Sequence, residues 1–161
     1  MVLPCFVIQL SSTSCTAQTA SNANNNKDYY VDWSQLPQGK YSVTWSLNAS
    51  DNTFSSPIIL PFVYVDLGTT NIFTTKSQND PAIRTRCIGT LFVNNATASL
   101  NCLYADTHSN PAFYLNSRPS NNIFNVSILN PSGGYWVDKA VTPVAIGDYV
   151  LNLSFQLLEQ Y

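Results

Sequence analysis

Residues 28–47 read DYYVDWSQLPQGKYSVTWSL, in which two runs of alternating aromatic and β-branched residues flank a Leu-Pro-Gln-Gly segment. Side chains two residues apart on a strand share a face, so the alternation places one apolar set together. That set comprises Tyr29, Val31, Trp33, Tyr41, Val43, Trp45 and Leu47. A period of two predicts half-buried antiparallel strands. The short turn-forming segment between the runs predicts that they form a β-hairpin.

Composition limits the classes of partner that this chain suits. Its 161 residues predict a single domain over residues 1–161. Only 10% of the residues are charged, against about 25% in an average soluble domain. The net charge is −2 and no basic run is present, which argues against direct binding to nucleic acid. No apolar stretch approaches the roughly 18 residues of a membrane span. So low a charge favours association with other proteins.

Strand-like segments recur along the whole chain. The predicted strands are residues 5–10, 29–33, 41–47, 58–67, 85–93, 98–104, 112–115, 123–129 and 149–158. The apolar opening lacks a basic residue and contains Pro4 and Gln9, so it predicts a first strand and not a signal peptide. Pro61 inside the fourth segment requires a bulge or an edge position.

The segments between these strands are rich in Asn, Ser, Gly and Pro, which are turn and loop residues. One of them, SNANNNKD at residues 21–28, predicts a flexible surface loop. No convincing amphipathic helix occurs, so the pattern predicts an all-β sandwich or barrel. Uneven loop lengths favour a single jelly roll of about eight antiparallel strands with little or no helix.

Two groups of residues invite a catalytic interpretation, and neither has the spacing that catalysis needs. His108 lies beside Asp106 and Ser109 on a predicted turn, where adjacent residues rarely reach the geometry of nucleophile, base and orienting group. Local turn capping explains them better. Asp28 and Asp32 would lie about 13 Å apart on one strand, beyond the roughly 5 to 9.5 Å of glycosidase carboxylates. We therefore expect no enzyme, no cofactor and no metal site.

The four cysteines show no C-x-x-C spacing, so they do not predict a zinc site. Cys87 and Cys102 lie on neighbouring predicted strands. A disulfide between them and a pair of buried free thiols both fit this placement. Arg84 and Arg86 alternate along the predicted strand at residues 85–93 and are expected on its solvent face.

Four N-x-S/T sequons and several aromatic residues leave a carbohydrate connection open. The sequons begin at Asn48, Asn95, Asn125 and Asn152. In a chain rich in Asn, Ser and Thr such matches arise by chance, and the last two fall within predicted strands. Five aromatics are expected to be exposed and could stack on sugars, although a sandwich core uses such residues more often: Tyr29, Tyr30, Trp33, Tyr41 and Trp45.

Four ordered patterns resemble one group of viral proteins. They are Y-x-V-D-W-S-x-L-P-x-G-x-Y-x-V at residues 29–43, N-P-x-F-Y-L at 110–115, S-R-P-S-N-N-x-F-x-V at 117–126 and G-D-Y-V-L-N-L-S-F at 147–155. Together they resemble the single jelly-roll minor capsid and penton-type proteins of giant (nucleocytoplasmic large) DNA viruses and of polinton-like viruses.

This resemblance implies a structural role in the virion capsid, with no catalytic residues to transfer. It implies packing against the major capsid protein, other minor capsid proteins and copies of the chain itself, as a homo-oligomer that would be a pentamer at a vertex. It also implies assembly in the host cytoplasm, hence free thiols and unmodified sequons. The expected contact loop contains Arg118, Pro119, Asn121 and Asn122. The alternative is a lectin-like carbohydrate-binding module built on exposed aromatics and asparagines.

Overall fold

The computed structural model describes residues 4–14, 17–18, 23–52, 60–67, 87–97, 100–130, 137–138 and 144–161. They form thirteen strands: β1 (Cys5–Ser11), β2 (Ala17–Gln18), β3 (Asn26–Tyr30), β4 (Gly39–Asn52), β5 (Phe62–Val65), β6 (Cys87–Thr90), β7 (Phe92–Thr97), β8 (Leu100–Ala105), β9 (Phe113–Leu115), β10 (Ile123–Leu129), β11 (Val137–Asp138), β12 (Val144–Ala145) and β13 (Tyr149–Gln160). Short 3-10 turns occupy Ser12–Ser14, Ala23–Asn25 and Trp33–Gln35, and these ranges contain no α-helix.

The strands build two antiparallel sheets, which confirms the predicted all-β sandwich. The first sheet has the order β1-β13-β4-β8-β7, with β9 also paired to β4, and the second has the order β2-β3-β10-β5-β6. β11 and β12 pair separately. Most of these pairs join strands that are distant in sequence, such as β1 with β13 and β3 with β10.

The core between the sheets is built from the predicted alternating residues. Tyr41, Val43, Trp45 and Leu47 on β4 are all buried. On the neighbouring strand β13, Phe155 lies directly opposite Val43. Burying each such side chain stabilises the fold by about 1.5–3 kcal/mol relative to its exposure to water. The face predicted for residues 41–47 is therefore confirmed.

The hairpin predicted over residues 28–47 is wrong. β3 belongs to the second sheet and β4 to the first, so the chain crosses between sheets where a hairpin turn was expected. Asp32 starts the crossing, because its carboxylate accepts a hydrogen bond from the Ser34 N–H at 3.0 Å and caps the turn Trp33–Gln35. The predicted apolar face is nevertheless confirmed for Tyr29 and Trp33, which are both buried. A shared face, however, is compatible with two strands on opposite sides of one core.

The predicted flexible loop SNANNNKD is also wrong where the structure describes it. The side chain of Asn25 is buried and accepts a hydrogen bond from the Ile146 N–H at 3.1 Å. Asn24 donates to the Ile146 carbonyl at 3.1 Å, and β3 already begins at Asn26. Residues 21–22 lie outside the described residues. The amide side chains thus anchor this segment, a role that composition alone does not distinguish from solvation.

Two predicted apolar strands differ from the structure in their bounds. The segment 85–93 is divided, because β6 ends at Thr90 and β7 begins at Phe92. Arg84 and Arg86 lie outside the described residues, so their predicted solvent face stays a prediction. The segment 58–67 contains β5, which lies between β10 and β6 and packs on both faces, as predicted. Pro61 directly precedes β5, and its carbonyl accepts the Leu91 N–H at 3.0 Å.

Polar contacts also join the two sheets. Trp45 of the first sheet donates from Nε1 to the carbonyl of Ile88 in the second at 3.0 Å. The hydroxyls of Tyr29 and Tyr149 meet across the core at 3.1 Å. Buried polar groups are costly unless they are hydrogen-bonded, so these contacts favour one relative placement of the sheets.

Candidate functional site

A groove of about 430 Å³ lies between the turn at residues 32–38 and the loop at residues 117–122. We call it the Trp33 groove. Its lining residues are Asp32, Trp33, Ser34, Gln38, Ser117, Arg118, Pro119, Ser120 and Asn122. Three of the four residues predicted to form a contact loop are among them. The lining combines one acidic and one basic residue with uncharged polar side chains and an indole ring.

Trp33 fixes the base of this groove. Its side chain is buried and lies 5.6 Å from the Phe124 ring and 5.5 Å from the Phe155 ring, between centroids. Its Nε1–H donates to the carbonyl of Asn121 at 2.8 Å. A second bond joins the Val31 N–H to the Asn122 carbonyl at 2.8 Å. The two walls are therefore tied to each other and to the core.

Arg118 fastens the loop to the turn from the other side. Its guanidinium donates to the Leu36 carbonyl at 2.8 Å and approaches the Ser34 carbonyl at 3.4 Å. The turn itself is closed by Tyr41, whose hydroxyl donates to the Pro37 carbonyl. Burial raises the pKa of Tyr41, which therefore stays a donor well above neutral pH. Arg118 serves here as a structural clamp between two segments.

The acidic charge in the groove lies on its turn side, opposite Arg118 on the loop side. Asp32 is exposed, and hydrogen bonds from Ser34 hold the pKa of its carboxyl below the usual value of 3.8, with a smaller contribution from Arg118. The carboxylate is therefore ionised at neutral pH. Its role in the structure is capping, because both of its strongest interactions are with the turn that it starts. Apart from Asp32 and Arg118, the residues that line the groove are uncharged.

An exposed apolar pair borders the groove on the outer face of the second sheet. Tyr30 of β3 and Ile123 of β10 are directly opposite each other, with 60% and 50% of their side chains exposed. The Ile123 N–H is bound by the Asn121 side chain at 3.2 Å. Directly opposed side chains on antiparallel strands are close enough to contact. This pair and the exposed Asn122 form a mixed apolar and amide surface.

The predicted contact loop is thus brought together by the structure, although its members differ in role. Arg118, Pro119 and Asn122 line the groove, whereas Asn121 contributes a backbone carbonyl to Trp33. Sequence reasoning missed the opposite wall at residues 32–38, because that segment was assigned to a hairpin. The Leu-Pro-Gln-Gly segment was its only signal, and it predicts a turn without predicting a partner.

The residues around His108 have the predicted capping role. The Asp106 carboxylate accepts from the N–H groups of His108 and Ser109 at 3.0 and 2.7 Å, and from the Ser109 hydroxyl at 2.8 Å. These bonds hold the pKa of Asp106 below its usual value. Asn110 is buried, and its side chain binds both the N–H and the carbonyl of Thr90. Together these contacts hold the backbone of the turn at residues 106–109 and of Thr90 in place.

The two cysteines discussed above lie in different sheets, which corrects their expected placement on neighbouring strands. Cys87 is on β6 in the second sheet, and Cys102 is on β8 in the first. Cys87 is buried on the outer side of its sheet in a small cluster with Tyr64 and Leu129. The part of the chain whose side chains are described does not include Cys102, so a disulfide between Cys87 and Cys102 stays a prediction. Within the described ranges, no three His, Cys, Asp or Glu residues are grouped as metal ligands would be.

Two sequon asparagines have side chains that are engaged within the sheets. Asn125 donates to the Asp28 carboxylate at 2.7 Å, on the strand beside it. Asn152 donates to the Ser46 hydroxyl at 3.2 Å and accepts from Gln9 at 3.1 Å. A glycan on either side-chain nitrogen would replace one of its two N–H donors, which here serve bonds within the sheets. Asn48 is exposed, and the side chain of Asn95 lies outside the described ones.

None of the helical turns in the described part of the chain has the length and apolarity of a membrane-crossing helix. The sequence matches no protein-family model and no curated protein at a significant level.

Proposed function

We propose that the sandwich is a single jelly roll and that the chain is a structural component of a virion. Eight of the strands pair in a nested order: β1 with β13, β3 with β10, β4 with β8, and β5 with β6. Successive pairs alternate between the first and the second sheet. A long hairpin rolled up into two sheets has this order, which supports the jelly roll.

The proposed role is that of a minor capsid or penton (vertex) protein. It would pack against the major capsid protein, other minor capsid proteins and copies of itself. Two of the patterns that resemble giant-virus capsid proteins, at residues 29–43 and 117–126, meet at the Trp33 groove. Their fixed residues hold the two walls together, as Trp33 and Arg118 do. This meeting of the two patterns is the observation that carries the proposal, because it joins residues of both patterns in one structural framework.

The surface beside the groove suits a protein contact. Tyr30, Ile123 and Asn122 are exposed and uncharged. Polar uncharged side chains cost less to desolvate than charged ones, and charged residues are depleted at the cores of interfaces. The proposed location is the virion, with assembly in the host cytoplasm. At a vertex the chain would assemble as a pentamer, and within a facet it would contact the major capsid protein.

Mass spectrometry of purified virions tests this role directly. We expect the chain in particles that have been banded to purity, and its absence there would refute the role. Asn122→Lys places a charge at the groove rim and is expected to reduce incorporation into particles without loss of folding. Thr107→Lys is the matched control, since Thr107 is equally exposed but lies in the turn that Asp106 caps. Equal incorporation of both variants would show that the groove is not part of the contact with other capsid proteins.

The second candidate function is carbohydrate binding at the same place. Four of the five aromatics expected to be exposed are buried, namely Tyr29, Trp33, Tyr41 and Trp45. Tyr30 alone of the five is exposed, at 60%, beside a groove lined with Asp32 and Asn122, and such aromatic and amide groups bind sugars in lectin-like sites. A glycan array at high protein concentration tests it, with Tyr30→Ala as the variant that should lose binding. No binding by the unmodified chain would exclude this candidate and leave the capsid role unaffected.

A further inference from the structure

We propose that the free edge of β1 is a self-association surface, at which β1 of a second copy pairs antiparallel to continue the first sheet. β1 is the last strand of the first sheet. Among the described strands its one neighbour is β13, with which it forms seven consecutive residue pairs. Among the described residues nothing pairs with its outer edge. An edge strand presents a row of backbone groups that are a template for another strand.

The register with β13 identifies which backbone groups face outward. The Leu157 N–H donates to the Pro4 carbonyl at 3.2 Å, so residues 4 and 157 form a hydrogen-bonded pair. Hydrogen-bonded and non-hydrogen-bonded pairs alternate along an antiparallel ladder. Phe6, Ile8 and Leu10 therefore bond to β13, while the N–H and carbonyl groups of the odd-numbered residues Cys5, Val7, Gln9 and Ser11 point away from it.

β1 lacks the devices with which proteins usually protect an edge. Such devices are short strands, bulges, charged side chains and proline. Cys5–Ser11 reads CFVIQLS, with no charge and no proline, and its ladder has no irregularity. The other edge strands that the structure describes are protected: β2, β11 and β12 have two residues each, and β9 has three. The ladders of β6 and β7 are interrupted by register shifts.

A second copy fits this edge better than an unrelated strand. An antiparallel strand pair is self-complementary about a two-fold axis, so the same odd-numbered residues supply donors and acceptors from both copies. Val7 is 65% exposed, and neither β1 nor the facing residues 150–156 of β13 carry a charge that would repel a copy. β1 is the one long regular edge in the described ranges, and in the pair both copies use it. Association through this edge therefore stops at a dimer.

This contact goes beyond the proposed capsid role, because it is a property of the isolated chain. A two-fold contact uses one patch on each copy, whereas a five-fold ring needs two different patches. A purified chain can therefore form the dimer even if virions lack it, and virions can contain the chain even if the dimer does not form. The two proposals fail separately.

The experiment measures the mass and the amide exchange of the full-length chain over a range of concentrations. Sedimentation is expected to show a monomer that converts to a dimer of doubled mass. In the dimer the N–H groups of Val7 and Gln9 should exchange more slowly than in the monomer, while that of Ile8, bonded to β13, is protected at every concentration. Protection of Val7 at all concentrations would mean that another part of the same chain covers the edge, and would overturn the proposal. So would a monomer whose Val7 amide exchanges freely throughout.

Two variants and a control separate edge pairing from other contacts. Val7→Lys places a charge at the centre of the edge, and Val7→Pro removes an outward N–H without removing a bond to β13; both are expected to abolish the dimer. Tyr114→Lys puts the same charge at an exposed position on β9 in the same sheet and should leave the dimer intact. Thermal melting shows that each variant is folded. A dimer that survives both Val7 substitutions, or that Tyr114→Lys abolishes equally, would overturn the assignment to β1.

Discussion

Replacing Asn110 by alanine should destabilise the sandwich, because its buried amide satisfies two backbone groups of Thr90. Asn110 is buried, and its side chain accepts from the Thr90 N–H at 3.0 Å and donates to the Thr90 carbonyl at 3.1 Å. Alanine leaves both backbone groups without a partner. Each unsatisfied buried group costs about 1–3 kcal/mol. Thr90 is only half-buried, so water partly compensates, and we expect a loss of about 2–3 kcal/mol in the free energy of unfolding.

Guanidinium denaturation and thermal melting measure this loss. For a chain of this size 1 kcal/mol corresponds to about 2–4 °C, so the melting temperature should fall by about 4–12 °C. Asn116→Ala is the matched control, because the Asn116 side chain is exposed and only its carbonyl is used, by the Tyr161 hydroxyl. That control should lie within about 0.5 kcal/mol of the unmodified chain. Equal melting of the two variants would refute the role of the amide.

Asn110→Asp refines the same prediction through pH. The carboxylate keeps an acceptor for the Thr90 N–H but loses the donor and faces the Thr90 carbonyl. Protonation restores an O–H donor, so the variant's deficit relative to the unmodified chain should narrow as the pH falls. A deficit that is independent of pH would mean that the donor to Thr90 contributes nothing.

Three further predictions concern other positions. In Gly39→Ala the new Cβ would overlap the Glu159 backbone oxygen, so the β4–β13 ladder must shift, and the melting temperature or the soluble yield should fall sharply; an unchanged melting temperature would contradict this packing. Hydrogen bonds from Ser34 lower the pKa of Asp32, so its stabilising effect is present above the usual value of 3.8 and is lost as the pH falls through the lower folded-state pKa. Asp32→Asn should therefore reduce the loss of stability at acid pH in a plot of unfolding free energy against pH. The same loss in both proteins would count against the cap. His108→Ala should leave the melting temperature unchanged, because only the His108 backbone N–H is used in its turn; a clear drop would reveal a side-chain role.

The candidate groove shows how far residue patterns reach. The loop with Arg118, Pro119 and Asn122 was identifiable from its turn chemistry, and the structure places all three on one wall. The facing wall was not identifiable, because residues 32–38 meet the loop through bonds that span 82 to 88 positions, such as the bond from Trp33 to Asn121. Sequence alone distinguishes a turn from a strand there, without indicating which distant loop the turn contacts.

Residues 28–47 show most clearly the difference between what residue patterns specify and what the fold adds. Residue patterns specify which side chains are buried, because a period of two in apolar residues defines a face, and the residues from Tyr41 to Leu47 follow it. The partners of each strand are set by the three-dimensional fold. β4 pairs with β13, 100 or more positions away, and β3 lies in the opposite sheet. The reason is physical: burial depends on each residue's own side chain, whereas strand pairing depends on backbone groups that every residue shares.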